Sequence, residues 1–185
     1  MQKPHREIQL DVIALREQWR QRGDYNCFWS GPDNDRGLRL TPTIESGRVF
    51  VDVQIEKFHS GFPGIANGGV SFTILDGMMS WYLMSQLGRG GFTKTAALTY
   101  FAPLHVGRKY RFEVTESRDE QNSSTNFRVI GKVFSIRDDK IGSRPLIEMS
   151  ADFFLPDRET ARSVLGVELG AEGEILFPEK ERQPL

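Results

Sequence analysis

The stretch from Gly61 to Leu87, GFPGIANGGVSFTILDGMMSWYLMSQL, decides how the rest of the chain is read. A turn rich in glycine and proline runs into the most apolar segment of the sequence, and from Val70 to Leu87 apolar side chains fall on every face of a helical wheel. A helix of that pattern is enclosed by protein, whereas a surface helix keeps one polar face. Asp76 is the lone ionisable side chain of the run, among Ile74, Leu75, Met78 and Met79, and a carboxylate so placed has to be hydrogen-bonded or paired.

Outward from this helix, Ile8, Val12, Leu15 and Trp19 recur at helical spacing and predict an amphipathic helix from about His5 to Arg22, ended by Gly23. YNCFWSGPDNDRG, Tyr25 to Gly37, is dense in turn formers and holds Cys27, Phe28 and Trp29, so it reads as a loop with an aromatic anchor. Strands are expected at Leu38 to Ile44 and Val49 to Ile55 around a Ser46-Gly47 turn, then at Thr93 to Phe101, Lys109 to Glu116, Asn126 to Arg137 and Leu146 to Phe154. A short helix from about Asp157 to Leu165 and a weakly structured tail or intersubunit arm complete the chain. The organisation is thus a helical extension over 1–24, a domain over 25–156 and a C-terminal extension over 157–185. The class is α+β: a long helix wrapped by a curled antiparallel sheet of about six strands. One such sheet cannot cover every face of the helix, so a second copy of the chain is expected against the remainder. Gly77, costly inside a helix, is expected where another backbone comes close.

The chain has 185 residues, 38% of them hydrophobic, enough for one sizeable core. Its formal charge is −1 and its basic residues are scattered, which gives no electrostatic footprint for nucleic acid. The single cysteine excludes an intrachain disulfide and a Cys-based zinc site. The three histidines, His5, His59 and His105, are too far apart in sequence to suggest a metal site, and none is expected. The amino terminus lacks the apolar core of a secretory signal, and the long helix, interrupted by Asp76, Ser80 and Ser85, is a poor membrane span. A cytoplasmic protein acting on a small molecule is expected.

Gly68 and Gly69 stand where loop becomes helix, so their backbone N–H groups belong to the unsatisfied donors of a helix start, with no side chain in a ligand's way. Such donors can hold an oxyanion, and removing one from known enzymes costs roughly a hundred- to a thousandfold in rate. Asn67 is a candidate N-cap whose amide can also orient a carbonyl or a water. Thr73, Asp76 and Ser80, three and four apart, form one polar stripe that passes near Gly69 and reads as a pocket wall. Asp76 is the candidate general base or nucleophile, and His59 a candidate contact in the preceding loop. Met78, Met79, Trp81, Tyr82 and Met84 are candidates for the pocket floor, and Arg89, Arg108 and Arg137 for contacts to phosphate.

HSGFPGIANGGVSFTILDGMM resembles the signature of the PaaI-like branch of hotdog-fold thioesterases, a His-x-Gly-x-Pro-Gly loop leading to a His-Gly-Gly turn and a helix bearing Leu-Asp. CFWSGPDNDRGLRL and TKTAALTYFAPLHVG are similar to the segments on either side of it, so the resemblance covers roughly Cys27 to Phe154. It implies a hotdog fold, dimers or dimers of dimers, and hydrolysis of an acyl-coenzyme A thioester at a subunit interface, with coenzyme A part of the substrate and no cofactor. It also implies Asp76 as the catalytic carboxylate, Gly68 as the oxyanion donor and Thr93 or Thr95 as the hydroxyl that positions water, supplied by the opposite subunit from Asp76. Asn67 stands where the family has histidine, and Ser30 where it has a second cysteine. A non-catalytic acyl-CoA-binding protein and a hydratase using His59 with Asp76 are the alternatives.

Overall fold

The computed structural model describes residues 7–23, 25–117, 122–165 and 170–179. In chain order these form helix α1 (Val12–Gln21), strands β1 (Thr43–Glu45) and β2 (Arg48–Gln54), a 3-10 turn at Lys57–His59, a small hairpin of β3 (Ser60–Phe62) and β4 (Ile65–Ala66), and helix α2 (Gly68–Leu87). Strands β5 (Phe92–Tyr100), β6 (Lys109–Glu116), β7 (Asn126–Arg137), β8 (Lys140–Ile141) and β9 (Ile147–Phe154) follow, then short helices α3 (Arg158–Leu165) and α4 (Ala171–Leu176). The main sheet is antiparallel, ordered β1-β2-β6-β7-β9-β5, with β8 paired to β7 alone. The expected α+β architecture, a sheet of about six strands curled on a long helix, is what the chain forms.

Alternation sets the core. Val49, Val51 and Val53 of β2, Tyr110, Phe112 and Val114 of β6, Phe127, Val129 and Val133 of β7, and Met149, Ala151 and Phe153 of β9 point to one face and are buried with Ile74, Leu75, Met78 and Met79 of α2. Gly131 fits this alternation. A Cβ there would stand 2.8 Å from Leu75 Cδ2 and 2.9 Å from Met79 Cε, so its lack of a side chain seats the helix on the middle of β7. Asn67 and Gly88 limit α2: the Asn67 side chain accepts the Gly69 N–H, and Gly88 closes the helix in the left-handed conformation at φ 62°. Gln86, 1% exposed, accepts the Gly47 N–H and donates to the Glu45 carbonyl, which ties the β1–β2 turn to the helix end.

Several boundaries differ from expectation. Asp11 caps α1 by accepting the Ala14 N–H, so the helix starts at Val12; Ile8 lies before it and His5 lies outside the described residues. Leu38 to Pro42 is not strand, because the Leu38 and Leu40 N–H groups donate to the Phe28 and Trp29 carbonyls. The tail is partly ordered. Helix α4 and Phe177 dock on the loop after α2, where the Gly90 N–H donates to the Leu176 carbonyl at 2.9 Å and Phe177 stacks on Phe92. Residues 166–169 and 180–185 lie outside the described residues. What comes close to Gly77 among the described residues is a side chain and not a second backbone: a Cβ there would meet the Trp29 indole at 2.3 Å, and Trp29 in turn packs edge-on against Trp81. No described helix is long and apolar enough to cross a membrane.

Candidate active site

The stripe predicted on α2 is the part of that helix which one chain leaves uncovered. Gly69 and Phe72 are exposed and Thr73, Asp76 and Ser80 are half-buried, while Leu75, Gly77, Met78 and Met79 are buried. The helix is therefore not enclosed on every face by its own sheet. Thr93, on the adjacent strand β5, donates its hydroxyl hydrogen bond to Asp76 Oδ1 at 2.6 Å, so the carboxylate and the threonine belong to the same chain and not to opposite subunits. Ser80 Oγ donates to the Asp76 backbone carbonyl at 3.3 Å and leaves the carboxylate to Thr93.

A bulge separates the two candidate threonines. Thr93 pairs with Phe153 and Thr95 with Asp152, so Lys94 is the extra residue in β5. Residues directly paired share a face, and Phe153 and Asp152 point to opposite faces. Thr93 accordingly points to the helix with Phe153, whereas Thr95 points to the outer face and donates to Asp152 Oδ2 at 3.0 Å. There Arg128 forms a two-pronged ion pair with Asp152, which holds that carboxyl below the usual carboxylate range. Without the bulge both threonines would share one face; with it, Thr93 alone reaches Asp76.

At the start of α2 the Gly69 N–H is consumed by Asn67 Oδ1 at 2.8 Å, so Gly69 is not an open donor. The Gly68 N–H has no partner among the described residues, and neither has the Asn67 side-chain amide nitrogen, which is left with two N–H groups to offer. The Gly68 carbonyl accepts the Tyr100 hydroxyl at 2.8 Å, a contact that fixes the first helical peptide from strand β5. Burial raises the Tyr100 pKa, so the hydroxyl keeps its proton. Tyr100 is a functional candidate that the sequence reading passed over, although it lies in the quoted TKTAALTYFAPLHVG segment.

Beside Gly68 lies a cavity of about 380 Å³ lined by Ile65, Ser71, Tyr100, Phe101, Leu104 and Ile147, among others. It is not floored by Met78, Met79, Trp81, Tyr82 or Met84, which are core residues at 9% exposure or less. His59 is elsewhere. Its Nδ1 accepts the Glu56 N–H at 3.0 Å, its imidazole is buried, and it lines a different cavity with Arg39, Asp52 and Phe58. Burial holds its pKa below 6.5, against the opposing pull of Glu56. What His59 gives the site is a main-chain contact: its carbonyl accepts the Asn67 N–H at 2.8 Å. Among the described residues no three His, Cys, Asp or Glu side chains come together as a metal would require.

No family model matches the chain, and no curated protein sequence matches it. Solved structures do. Zebra fish thioesterase superfamily member 2 superposes with a TM-score of 0.59 over 79% of this chain and 99% of that one, at 17% identity. The chain has the hotdog fold. The Streptococcus mutans protein smu.793 bound to acetyl CoA matches with a TM-score of 0.52 at 18% identity, over 61% of this chain and 84% of that one. A mutant of the phenylacetic acid degradation protein PaaI from Thermus thermophilus matches at 0.51 and 16%, over 61% and 89%. In this hotdog chain α2 is the helix on which the sheet curls, and Asp76 and Gly68 lie along it at the edge where β5 ends the sheet.

Proposed function

We propose that the protein is an acyl-CoA thioesterase whose site is completed by two copies of the chain. The observation that carries this reading is the placing of Gly68 and Asp76 on one continuous helix. Eight residues at 1.5 Å each separate them by about 12 Å, too far for one chain's oxyanion donor and carboxylate to serve the same carbonyl carbon. The uncovered stripe of α2 and the unpaired edge of β5 supply a surface on which a second copy brings its Gly68 to the first copy's Asp76. A long edge strand, exposed from Thr93 to Ala97 with Lys94 its one charge there, is otherwise a liability.

In the reaction, Asp76 takes a proton from water as the water oxygen bonds to the thioester carbon. The Gly68 N–H, with the Asn67 amide beside it, holds the oxygen as it gains charge. The carbon–sulfur bond then breaks, and the coenzyme A sulfur leaves and takes a proton as the acid is released. Direct attack by Asp76, through a mixed anhydride that water then opens, uses the same atoms. Thr93 aims the carboxylate in either case. Support comes from the quoted signature, from that bond, and from the similar structures, which include a named thioesterase and one that holds acetyl CoA. A cytoplasmic setting belongs to the same proposal.

The test is an acyl-CoA panel scored by thiol release beside Asp76→Asn. Loss of about a hundred- to ten-thousandfold in kcat with the fold retained is expected; full activity in Asp76→Asn would end the proposal. Asn67 favours one second reading, since an amide cannot exchange protons as histidine does: saturable acyl-CoA binding without thiol release would select a binding protein. The hydratase alternative loses its motive, because His59 is turned into a cavity of its own.

A further inference from the structure

Most arginines among the described residues are tied down. On the outer face of the sheet Arg48, Arg111 and Arg128 pair with Glu45, Asp52 and Asp152, and Arg89, a candidate for phosphate, donates to the Leu155 and Pro156 carbonyls. Like the scattered Arg36, Arg39 and Arg144, Arg108, Lys109 and Arg137 have no such partner, but these last three stand together. They are exposed, and none makes an ion pair or a side-chain hydrogen bond among the described residues. Arg108 and Arg137 line the same two cavities, and like charges gathered at one place repel unless an anion lies between them.

Their place is defined by cavities. The apolar cavity beside Gly68 shares Ala102 and Pro103 with a second one of about 160 Å³, lined also by His105 and Tyr110. That second cavity shares Arg108, Lys109, Ile136 and Arg137 with an open one of about 610 Å³. The three cations thus stand where the inner and outer cavities meet, and Asp138 and Asp139 line the outer one alone. Tyr110 adds a donor. It is 2% exposed, its oxygen accepts the His105 N–H at 2.7 Å, and its own proton has no acceptor among the described residues. From Gly68 outward the lining passes from apolar to basic within one run, Phe101 to Lys109.

We infer that Arg108, Lys109 and Arg137 dock the phosphate groups of the coenzyme A half of the substrate, with its arm crossing Ala102 and Pro103 to bring the thioester to Gly68. The inference rests on the thioesterase reading for the arm and thioester, but the anion site can be tested without any acyl group. Adenosine 3′,5′-bisphosphate is titrated against the full chain, the Arg108→Ala/Arg137→Ala double variant and, as a control for lost charge, Lys57→Ala. Binding to the wild type and to the control, weakened on the order of tenfold in the double variant and with a shallower salt dependence, is expected. In hydrolysis the double variant should raise KM for an acyl-CoA by a similar factor, with kcat within about twofold and KM for the matching acyl-pantetheine unchanged. Equal binding of the bisphosphate by double variant and wild type, or binding by neither, overturns the docking site. Hydrolysis with KM unaltered overturns it while the thioesterase stands; bisphosphate bound through the arginines without acyl-CoA hydrolysis overturns the thioesterase and leaves the anion site.

Discussion

A single inserted residue, Lys94, divides the labour of two threonines that the sequence presents as equals. Thr93 bonds the carboxylate of Asp76 and Thr95 that of Asp152, so their substitutions should part company. Thr93→Val is expected to lower kcat about ten- to a hundredfold, the scale of one lost hydrogen bond to a charged group, and Thr93→Ser to restore most of it. Thr95→Val should leave kcat and KM within about twofold, because Arg128 still holds Asp152. Thiol release under saturating and limiting acyl-CoA reads both; equal losses at the two positions would mean that the bulge does not set the site. Asp76 was legible from sequence as one carboxylate in an apolar run, since burial and charge are opposed wherever they meet. The bulge was not, because T-K-T also fits plain alternation, and which residue is extra depends on pairing with β9, about 57 positions away in sequence.

Elements were read well where one period dominates and less well where a nearby backbone competes. Strands β6 and β7 start and stop at the expected residues, since their alternation faces a single helix. Leu38 to Pro42 looked equally strand-like, yet the Phe28 and Trp29 carbonyls claim its N–H groups. That same loop places Trp29 against Gly77, so Gly77→Ala should destabilise by about 1–3 kcal/mol and cost less in a Trp29→Phe background, read from urea midpoints. The turn before α2 carries a second liability. His59 is buried and accepts the Glu56 N–H, so its folded pKa lies below the 6.5 of an exposed imidazole. Above pH 6.5 it is neutral in both states and stability is full. As pH falls below 6.5 the unfolded chain takes up the proton first, and stability is lost until the folded pKa is passed. The melting temperature is expected to fall between pH 7 and 5 in the wild type and to fall less in His59→Asn, whose amide oxygen can accept the same N–H; parallel curves would place the acid sensitivity elsewhere.

At the scale of the molecule, the uncovered stripe of α2 and the free edge of β5 adjoin one another, joined by the Thr93–Asp76 and Tyr100–Gly68 hydrogen bonds. One chain therefore exposes both halves of the proposed chemistry on one side, about 12 Å apart, and a two-fold axis through that side lets each copy lend its Gly68 to the other's Asp76. Sharing of this kind has a countable signature. Gly68→Pro removes the N–H from a first helical position, where proline is well tolerated; Asn67 before it already holds the extended backbone that proline requires, at φ −65° and ψ 132°. Its Cβ would approach the Tyr100 hydroxyl, but Tyr100 is 51% exposed and has room to turn away. Gly68→Pro and Asp76→Asn should each be inactive alone. Co-expressed in equal amounts and assembled at random, half of the dimers are mixed, and each mixed dimer holds one site with both native groups and one with neither. Activity should then return to about a quarter of the wild-type value per chain. A mixture as inactive as its parents would mean that Gly68 and Asp76 do not meet across an interface. Recovery near a quarter in the mixture, rising to about half of the wild-type value in the mixed dimers after they are separated by a tag on one variant, would place the oxyanion donor and the carboxylate of every working site on different chains.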